Sequence, residues 1–239
     1  MRKALVAVVF GMVGLVAPML AQADEGVDLG RCSGGTRERL SFIETRLEER
    51  RPYAKYWWMG WTGFYGLGTV VQSARAPFEG DDSKQADDVV SAVKALIGVT
   101  RLVIWPPTAK AGADAMRVVA PTDESACRER LRIGEELMRK NARESKARWD
   151  WKRHAANVGL NVAGGLIVAE GWDDPWRGWR SAGIGIAVGE AFGFSHPWKA
   201  DDDLAEYDQK FGQSADLAPT KVSFEVAPRL GGLSFGMRF

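Results

Sequence analysis

The chain has 239 residues, and its 32 basic side chains nearly balance its 31 acidic ones. This balance argues against a nucleic-acid partner, which normally requires a basic excess. The length is sufficient for one sizeable hydrophobic core or two small ones.

The N-terminal residues have the three parts of a secretory signal peptide. Arg2 and Lys3 form the positive region, residues 4–20 form the apolar region, and residues 21–23 are Ala-Gln-Ala, an A-x-A cleavage site. We therefore predict export and removal of residues 1–23, which leaves 30 basic against 31 acidic side chains. A retained N-terminal anchor is the alternative. No cysteine follows the cleavage site, so a lipid-anchored precursor is not expected.

Two cysteines, Cys32 and Cys127, each precede a long charged segment. Because cysteines of exported proteins are usually bridged, we predict an intramolecular disulfide between them. Closing so long a loop is worth about 4–5 kcal/mol in the chain-entropy model. Intermolecular pairing and two free thiols are the alternatives.

Residues 37–51 predict a charged helix with one apolar stripe, capped by Ser33 or Thr36, and Pro52 is expected to interrupt or kink it. The next stretch, 56–71, is rich in tryptophan and contains four glycines. Each glycine weakens an isolated helix by about 1 kcal/mol relative to alanine. This stretch therefore requires neighbours that pack closely on it.

A second helix is predicted from residue 83 to 105, where a double proline ends it. In the second half of the chain no proline intervenes, so one unbroken helix is predicted over 127–169. A turn at 173–175 follows, and the last long helix runs over 176–194.

The mature chain contains an internal repeat. Arg-Glu-Arg-Leu occurs at 37–40 and again at 128–131, each time after a cysteine. Ala-x-Ile-Gly occurs at 95–98 and again at 182–185. Two copies of a helical hairpin can bury each other's apolar faces. We therefore predict a mainly α protein, in which two duplicated hairpins form a Gly-rich four-helix body with long charged helical arms.

The predicted organisation has five parts in chain order. These are a signal peptide (1–23), a first helical hairpin (24–106), a linker (107–121), a second helical hairpin (122–198), and a polar segment with a C-terminal β-hairpin (199–239).

The last residues alternate between apolar and polar side chains on both sides of a turn at 228–232, which predicts the β-hairpin. The second strand carries Leu233, Phe235, Met237 and the terminal Phe239. It resembles the closing strand of bacterial outer-membrane β-barrels, which is read by the barrel-assembly machinery. The resemblance covers about seven residues, and the chain lacks the eight or more strands of a single-chain barrel. A hairpin that caps the helical body and an oligomer with two strands per chain are the alternatives.

Small residues recur at four-residue spacing on both helices of the second hairpin, a pattern that lets helix backbones approach closely. The residues predicted to pack are Ala155, Gly159 and Ala163 on one helix and Ser181, Gly185, Gly189 and Gly193 on the other.

Tryptophans flank the apolar stretches as in a membrane-interface belt. The stretches are only about 15–18 residues long, below the roughly 20 of a comfortable span. Transmembrane helices, interfacial insertion and a tightly packed soluble hairpin all remain open.

Three charged residues, Lys94, Arg101 and Glu190, interrupt the apolar stretches. Charges in such positions usually face a bundle interior and pair. We therefore predict an ion pair between Glu190 and either Lys94 or Arg101, or a polar path that all three line.

No catalytic, phosphate-binding or metal-binding motif is present, and we expect neither an enzyme nor a cofactor or metal site. The two histidines, His154 and His196, are expected at the open end of the second hairpin; haem or metal ligation is the minor alternative. The acidic run 201–203 is expected to be a solvated helix start.

The sequence predicts an exported bacterial cell-envelope protein at a membrane, facing the periplasm, with a structural or interaction role. Membrane lipid is the expected partner, with self-association or an envelope protein as further partners and no nucleic acid. The alternative is a small transporter or channel component. The sequence does not distinguish the inner from the outer membrane.

Overall fold

The computed structural model describes residues 29–212 and the backbone of two strands, 223–229 and 232–238. The predicted signal peptide, 1–23, lies outside the described residues. The described chain is mainly α, which confirms that part of the fold prediction.

Helix α1 spans Gly34–Arg75 and continues through Pro52, so the predicted interruption there is wrong. Proline removes one backbone hydrogen bond of a helix. Here the buried stripe of α1 keeps its helical spacing across the proline, with Leu47 before it and Ala54 and Trp57 after it. Packing on both sides of Pro52 therefore holds α1 as one helix of 42 residues, about 63 Å long.

The second half of the chain breaks where continuity was predicted. Helix α4 spans Glu124–Lys146, a 3₁₀ turn covers Ala147–Trp149, and α5 spans Trp151–Gly171. Asp150 caps α5 by accepting a hydrogen bond from the backbone N–H of Lys152 at 3.0 Å. The prediction of one unbroken helix is wrong because aspartate favours a helix start over a helix interior.

Helix α2 spans Asp82–Ile104, and α6 spans Pro175–Phe194. The linker is ordered and contains a 3₁₀ turn, Thr108–Ala111, and the short helix α3, Asp114–Arg117. The last helix, α7, spans Ala200–Phe211.

α1 packs on α2 and α5 packs on α6, and the two pairs also meet through α2. The C-terminal part of α1 (53–75) with α2, α5 and α6 is called the four-helix body below. α4, α7 and the N-terminal part of α1 (34–51) form the charged end of the molecule.

The charged end is closed by the disulfide between Cys32 and Cys127, which confirms the predicted bridge. The two sulfur atoms join α1 and α4 near their N-terminal ends. The bridge is part of a buried core whose members come from α1 and the residues before it, the linker, α3, α4 and α7: Cys32, Leu40, Ile43, Leu47, Ala113, Met116, Cys127, Met138 and Tyr207.

Two strands follow α7: β1, Ser223–Arg229, and β2, Gly232–Arg238. Their backbones pair antiparallel, with Val226 opposite Phe235. The strand side chains and Phe239 lie outside the described residues, so the resemblance to an outer-membrane closing strand stays a prediction.

Candidate functional site

Helices α5 and α6 cross closely at two glycines. A Cβ atom on Gly165 would lie 2.6 Å from the carbonyl oxygen of Gly178 and 2.8 Å from Cβ of Ala182. Gly178 is equally constrained, because a Cβ there would meet Ala169 at 2.8 Å. Small residues thus bring the two backbones into contact, as the spacing pattern predicts for this hairpin, but most of the contact residues are different.

On α6, Gly185 and Gly189 face the side-chain amides of Asn161 and Asn157, leaving no room for a methyl group at either glycine. Gly193 has no heavy atom within 4 Å of an added Cβ. Ser181 is half-buried.

The predicted stripe on α5, Ala155, Gly159 and Ala163, is exposed and does not face α6. A Cβ on Gly159 would meet no atom within 4 Å. The face of α5 turned toward α6 carries asparagines in place of those small residues. Asn157 and Asn161 are one turn apart, and a polar side chain inside a helix pair must find hydrogen-bond partners.

The two asparagines form a hydrogen-bonded chain that ends on Glu190. Asn161 Nδ2 donates to the side-chain oxygen of Asn157 at 2.9 Å, and Asn157 Nδ2 donates to Glu190 Oε1 at 2.9 Å. Glu190 Oε2 lies 2.6 Å from Nδ1 of His154. The hydrogen bond from Asn157, helped by His154, lowers the pKa of Glu190 below its ordinary value.

A cavity of about 880 Å³ opens between the four helices of the body. Its walls combine aromatic and aliphatic side chains with charged ones. Lys94, Arg101 and Glu190 all line it. The structure therefore brings the three charges of the predicted polar path to one shared space.

The predicted ion pair is not among the contacts of the described residues. Glu190 pairs with His154, while Arg101 lies over the ring of Phe192, with 5.8 Å between its guanidinium carbon and the ring centroid. Burial lowers the pKa of Lys94 and the pKa of Arg101, and the nearby charge of Arg153 lowers the latter further. The partner of Glu190 was mispredicted because His154 and Asn157 come from α5, and the sequence of α6 does not predict how α5 packs on it.

Four further cations line the same cavity and were not singled out from the sequence: Arg148, Lys152, Arg153 and Arg180. The asparagines offered a usable signal. Asn157 and Asn161 lie at four-residue spacing inside an otherwise apolar helix, a spacing that puts both on one face.

The outer surface of the four-helix body is unusually apolar. Large apolar side chains with more than a third of their area exposed occur on each of its helices, for example Val70 on α1, Val93 on α2, Ile167 on α5 and Trp179 on α6. α4 and α7 contribute none. Exposed apolar side chains on every helix of one part of the molecule make that part a candidate interaction surface.

The tryptophans divide into two groups. Trp57 and Trp61 point inward and donate from Nε1 to the hydroxyl of Ser195 at 3.0 and 3.1 Å, and Trp58 donates to the carbonyl of Leu102. The remaining seven are exposed: Trp105, Trp149, Trp151, Trp172, Trp176, Trp179 and Trp198.

The histidines occupy separate environments. His154 binds Glu190, and His196 packs edge-on against Trp57, where burial lowers its pKa. Within residues 29–212 there is no group of three His, Cys, Asp or Glu side chains that could hold a metal ion.

The acidic run at the start of α7 is not a solvated helix end. Asp203 is buried, and Arg50 donates to its carboxylate from two nitrogens at 2.7 and 2.6 Å. Asp201 accepts a hydrogen bond from the hydroxyl of Ser145 at 2.7 Å. These contacts dock α7 on α1 and α4.

In the described part of the chain, no helix is both long enough and apolar enough to cross a membrane.

No family model, curated protein or solved structure matches this chain.

Proposed function

We propose that this is an exported bacterial cell-envelope protein whose four-helix body rests on a membrane surface, in a structural or interaction role. The observation that carries the proposal is the inverted polarity of the body. Large apolar side chains are exposed on all four of its helices, while Lys94, Arg101, Glu190 and the asparagine chain line the cavity between these helices. Proteins in contact with lipid keep their charged side chains toward the bundle interior or a water-filled cavity.

The charged end supports one orientation. It has a disulfide-closed core and no large exposed apolar side chain on α4 or α7. We therefore propose that the body faces the lipid and that the charged end projects into the periplasm.

The exposed tryptophans agree with this placement. Trp105 and Trp151 lie at one end of α2 and α5, and Trp172 and Trp176 lie at the opposite end of the second hairpin. Indole rings favour the boundary between water and lipid because each has an apolar body and one N–H donor.

Vesicle flotation tests the proposal. The purified protein is expected to float with vesicles that contain phosphatidylglycerol. Val93→Glu puts a charge on the exposed apolar surface of α2 and should reduce the floating fraction several-fold. Val118→Glu is the matched control, since Val118 is 84% exposed but lies in the linker.

Failure of the wild-type protein to float, or equal flotation of the two variants, would overturn the proposal. In cells, carbonate washing of separated membranes provides the second measurement, and recovery in the soluble periplasmic fraction would contradict it. Self-association is part of the same proposal and predicts crosslinked dimers on vesicles.

A transporter or channel component is the second candidate. It is favoured by one observation, that Lys94, Arg101 and Glu190 line the same cavity. It requires a passage through the body, so vesicles with reconstituted protein should release chloride, and Arg101→Gln should slow that release.

The expectation that the protein is not an enzyme stays a prediction; an activity lost on single replacement of His154 or His196 would refute it.

A further inference from the structure

We propose that the cavity between the four helices binds an anionic amphiphile, a molecule with one carboxylate or phosphate head group and an acyl chain. This inference rests on the proposed placement at a lipid surface and names the ligand class of the cavity. It depends on three observations: an excess of cations, the absence of ion pairs between these cations and other described residues, and an extended apolar wall.

The excess of cations is a property of the cavity lining. Three acidic residues line it, and one of them, Glu190, is already engaged by Asn157 and His154. A second, Asp88, has its pKa raised by burial. The six basic residues on the lining are Lys94, Arg101, Arg148, Lys152, Arg153 and Arg180.

None of these six cations forms an ion pair with another described residue. Lys94 and Arg101 lie seven residues apart on α2, so they share a face at a separation of about 10 Å along the helix axis. Arg153 on α5 is near enough that its charge disfavours the charged form of Arg101. Two guanidinium groups that converge from different helices are stabilised by an anion between them, which can accept several hydrogen bonds at once.

Arg148 adds a donor without an acceptor. Its Nε is buried and has no hydrogen-bond partner among the described residues. Its guanidinium carbon lies 5.2 Å from the ring centroids of both Trp149 and Trp198. A buried donor of this kind is costly unless an acceptor reaches it.

The remainder of the wall suits an acyl chain. Aromatic and aliphatic side chains from α1, α5 and α6 line it, among them Phe64, Tyr65, Leu160, Ile184, Val188 and Phe192. The volume of about 880 Å³ lies within the range of roughly 300–1,000 Å³ typical of small-molecule sites. Apolar walls with a few convergent cations select a ligand that is apolar along its length and negative at one end.

The first arm of the test uses a free fatty-acid analogue, dansyl-undecanoate, titrated into the purified protein while dansyl emission is recorded. We expect saturable binding. Arg101→Gln and Lys94→Gln should each weaken it about tenfold or more, since each removes a charge-assisted hydrogen bond to the anionic head group. Arg128→Gln is the matched control, because Arg128 is exposed on α4 at the charged end.

The second arm asks whether the ligand is a membrane lipid. The protein is mixed with vesicles of phosphatidylglycerol and phosphatidylcholine, recovered, and its retained lipid is measured by mass spectrometry. Retained phosphatidylglycerol that is lost in Arg101→Gln identifies a phospholipid, whereas dye binding alone identifies a free fatty acid. Val188→Trp, which fills the apolar wall, should reduce binding in both arms while the helical circular-dichroism spectrum is unchanged.

The inference is overturned if neither probe binds, or if Arg101→Gln and Lys94→Gln bind as tightly as Arg128→Gln. Its failure is distinguishable from failure of the proposed function. Val93→Glu should lose flotation and keep dye binding, while Arg101→Gln should float like the wild type and lose dye binding.

Discussion

The hydroxyl of Ser83 donates a hydrogen bond to Asp174 Oδ2 at 3.0 Å, and this contact joins the N-terminal ends of α2 and α6. A second contact joins the N-terminal ends of α1 and α4, where the backbone N–H of Ser33 donates to Glu124 Oε2 at 2.7 Å. Corresponding helices of the two predicted hairpins thus meet each other at their starts.

Loss of the disulfide should destabilise the charged end more than any single change on its surface. Cys32 and Cys127 are 95 residues apart, and closing such a loop is worth about 4–5 kcal/mol in the chain-entropy model. Chemical denaturation of the double variant Cys32→Ser, Cys127→Ser should give a free energy of unfolding that is lower by about this amount. The variant should be insensitive to dithiothreitol, whereas wild-type protein in dithiothreitol should match it; a wild-type curve that ignores the reductant contradicts the prediction.

A single methyl group should separate the two roles of glycine in the second hairpin. Gly165→Ala puts a Cβ 2.6 Å from the carbonyl oxygen of Gly178, so the backbones must move apart, at a cost of about 1–3 kcal/mol. Gly183→Ala meets nothing within 4 Å and should stabilise α6 by up to about 1 kcal/mol. Thermal unfolding of the two variants measures both signs, and two shifts in the same direction would refute the packing described here.

Spacing in the sequence predicted that α5 and α6 pack through small residues, but not which stripe makes the contact. α5 carries more than one such stripe, since Gly164 and Gly165 lie beside Ala163. The choice depends on Asn157 and Asn161, whose hydrogen bonds must be satisfied inside the pair. The hydrogen bonds between the two helices join residues about 30 positions apart in the chain. The periodicity of a single helix does not predict such contacts.

The helix ends show the same limit. Pro52 is a local signal for a break, and it was overridden because the buried stripe of α1 continues past it. Asp150 is a local signal for a helix start. The prediction of an unbroken helix did not use this signal, and Asp150 caps α5. The cysteine pairing, by contrast, was accessible, because the sequence has two cysteines and each precedes a long charged helix. The fold class and the shared face of Lys94 and Arg101 were also accessible from the sequence.

A buried charge at the charged end depends on one carboxylate. Arg130 is fully buried, and its Nη2 donates to Glu44 Oε1 at 2.7 Å. Glu44→Gln removes the charge while keeping the shape, and leaving a buried charge without its partner costs about 3–5 kcal/mol. Glu136→Gln is the control, since Glu136 is exposed and pairs with Arg132 on the surface of α4. Chemical denaturation should show a large loss for the first variant and little change for the second; similar curves would show that Arg130 finds another partner.

Lowering the pH should destabilise the protein through His196. Burial of the imidazole against Trp57 lowers its pKa below the ordinary 6.5, and the nearby charges of Arg153 and Arg101 act in the same direction. The folded state therefore favours the neutral ring. As the pH falls below about 6.5 the unfolded chain binds a proton first, and stability declines until the pH passes the folded pKa.

The measurement is an NMR titration of the two imidazoles, assigned with a His154→Gln variant, together with denaturation at about pH 7.5 and about pH 5.5. The His196 resonance should titrate below 6.5, and His196→Gln should lose part of the difference in stability between the two pH values. A resonance that titrates at or above 6.5 would show that the ring is solvated. In that case the contact of His196 with Trp57, which connects α1 to the segment after α6, would not persist in solution.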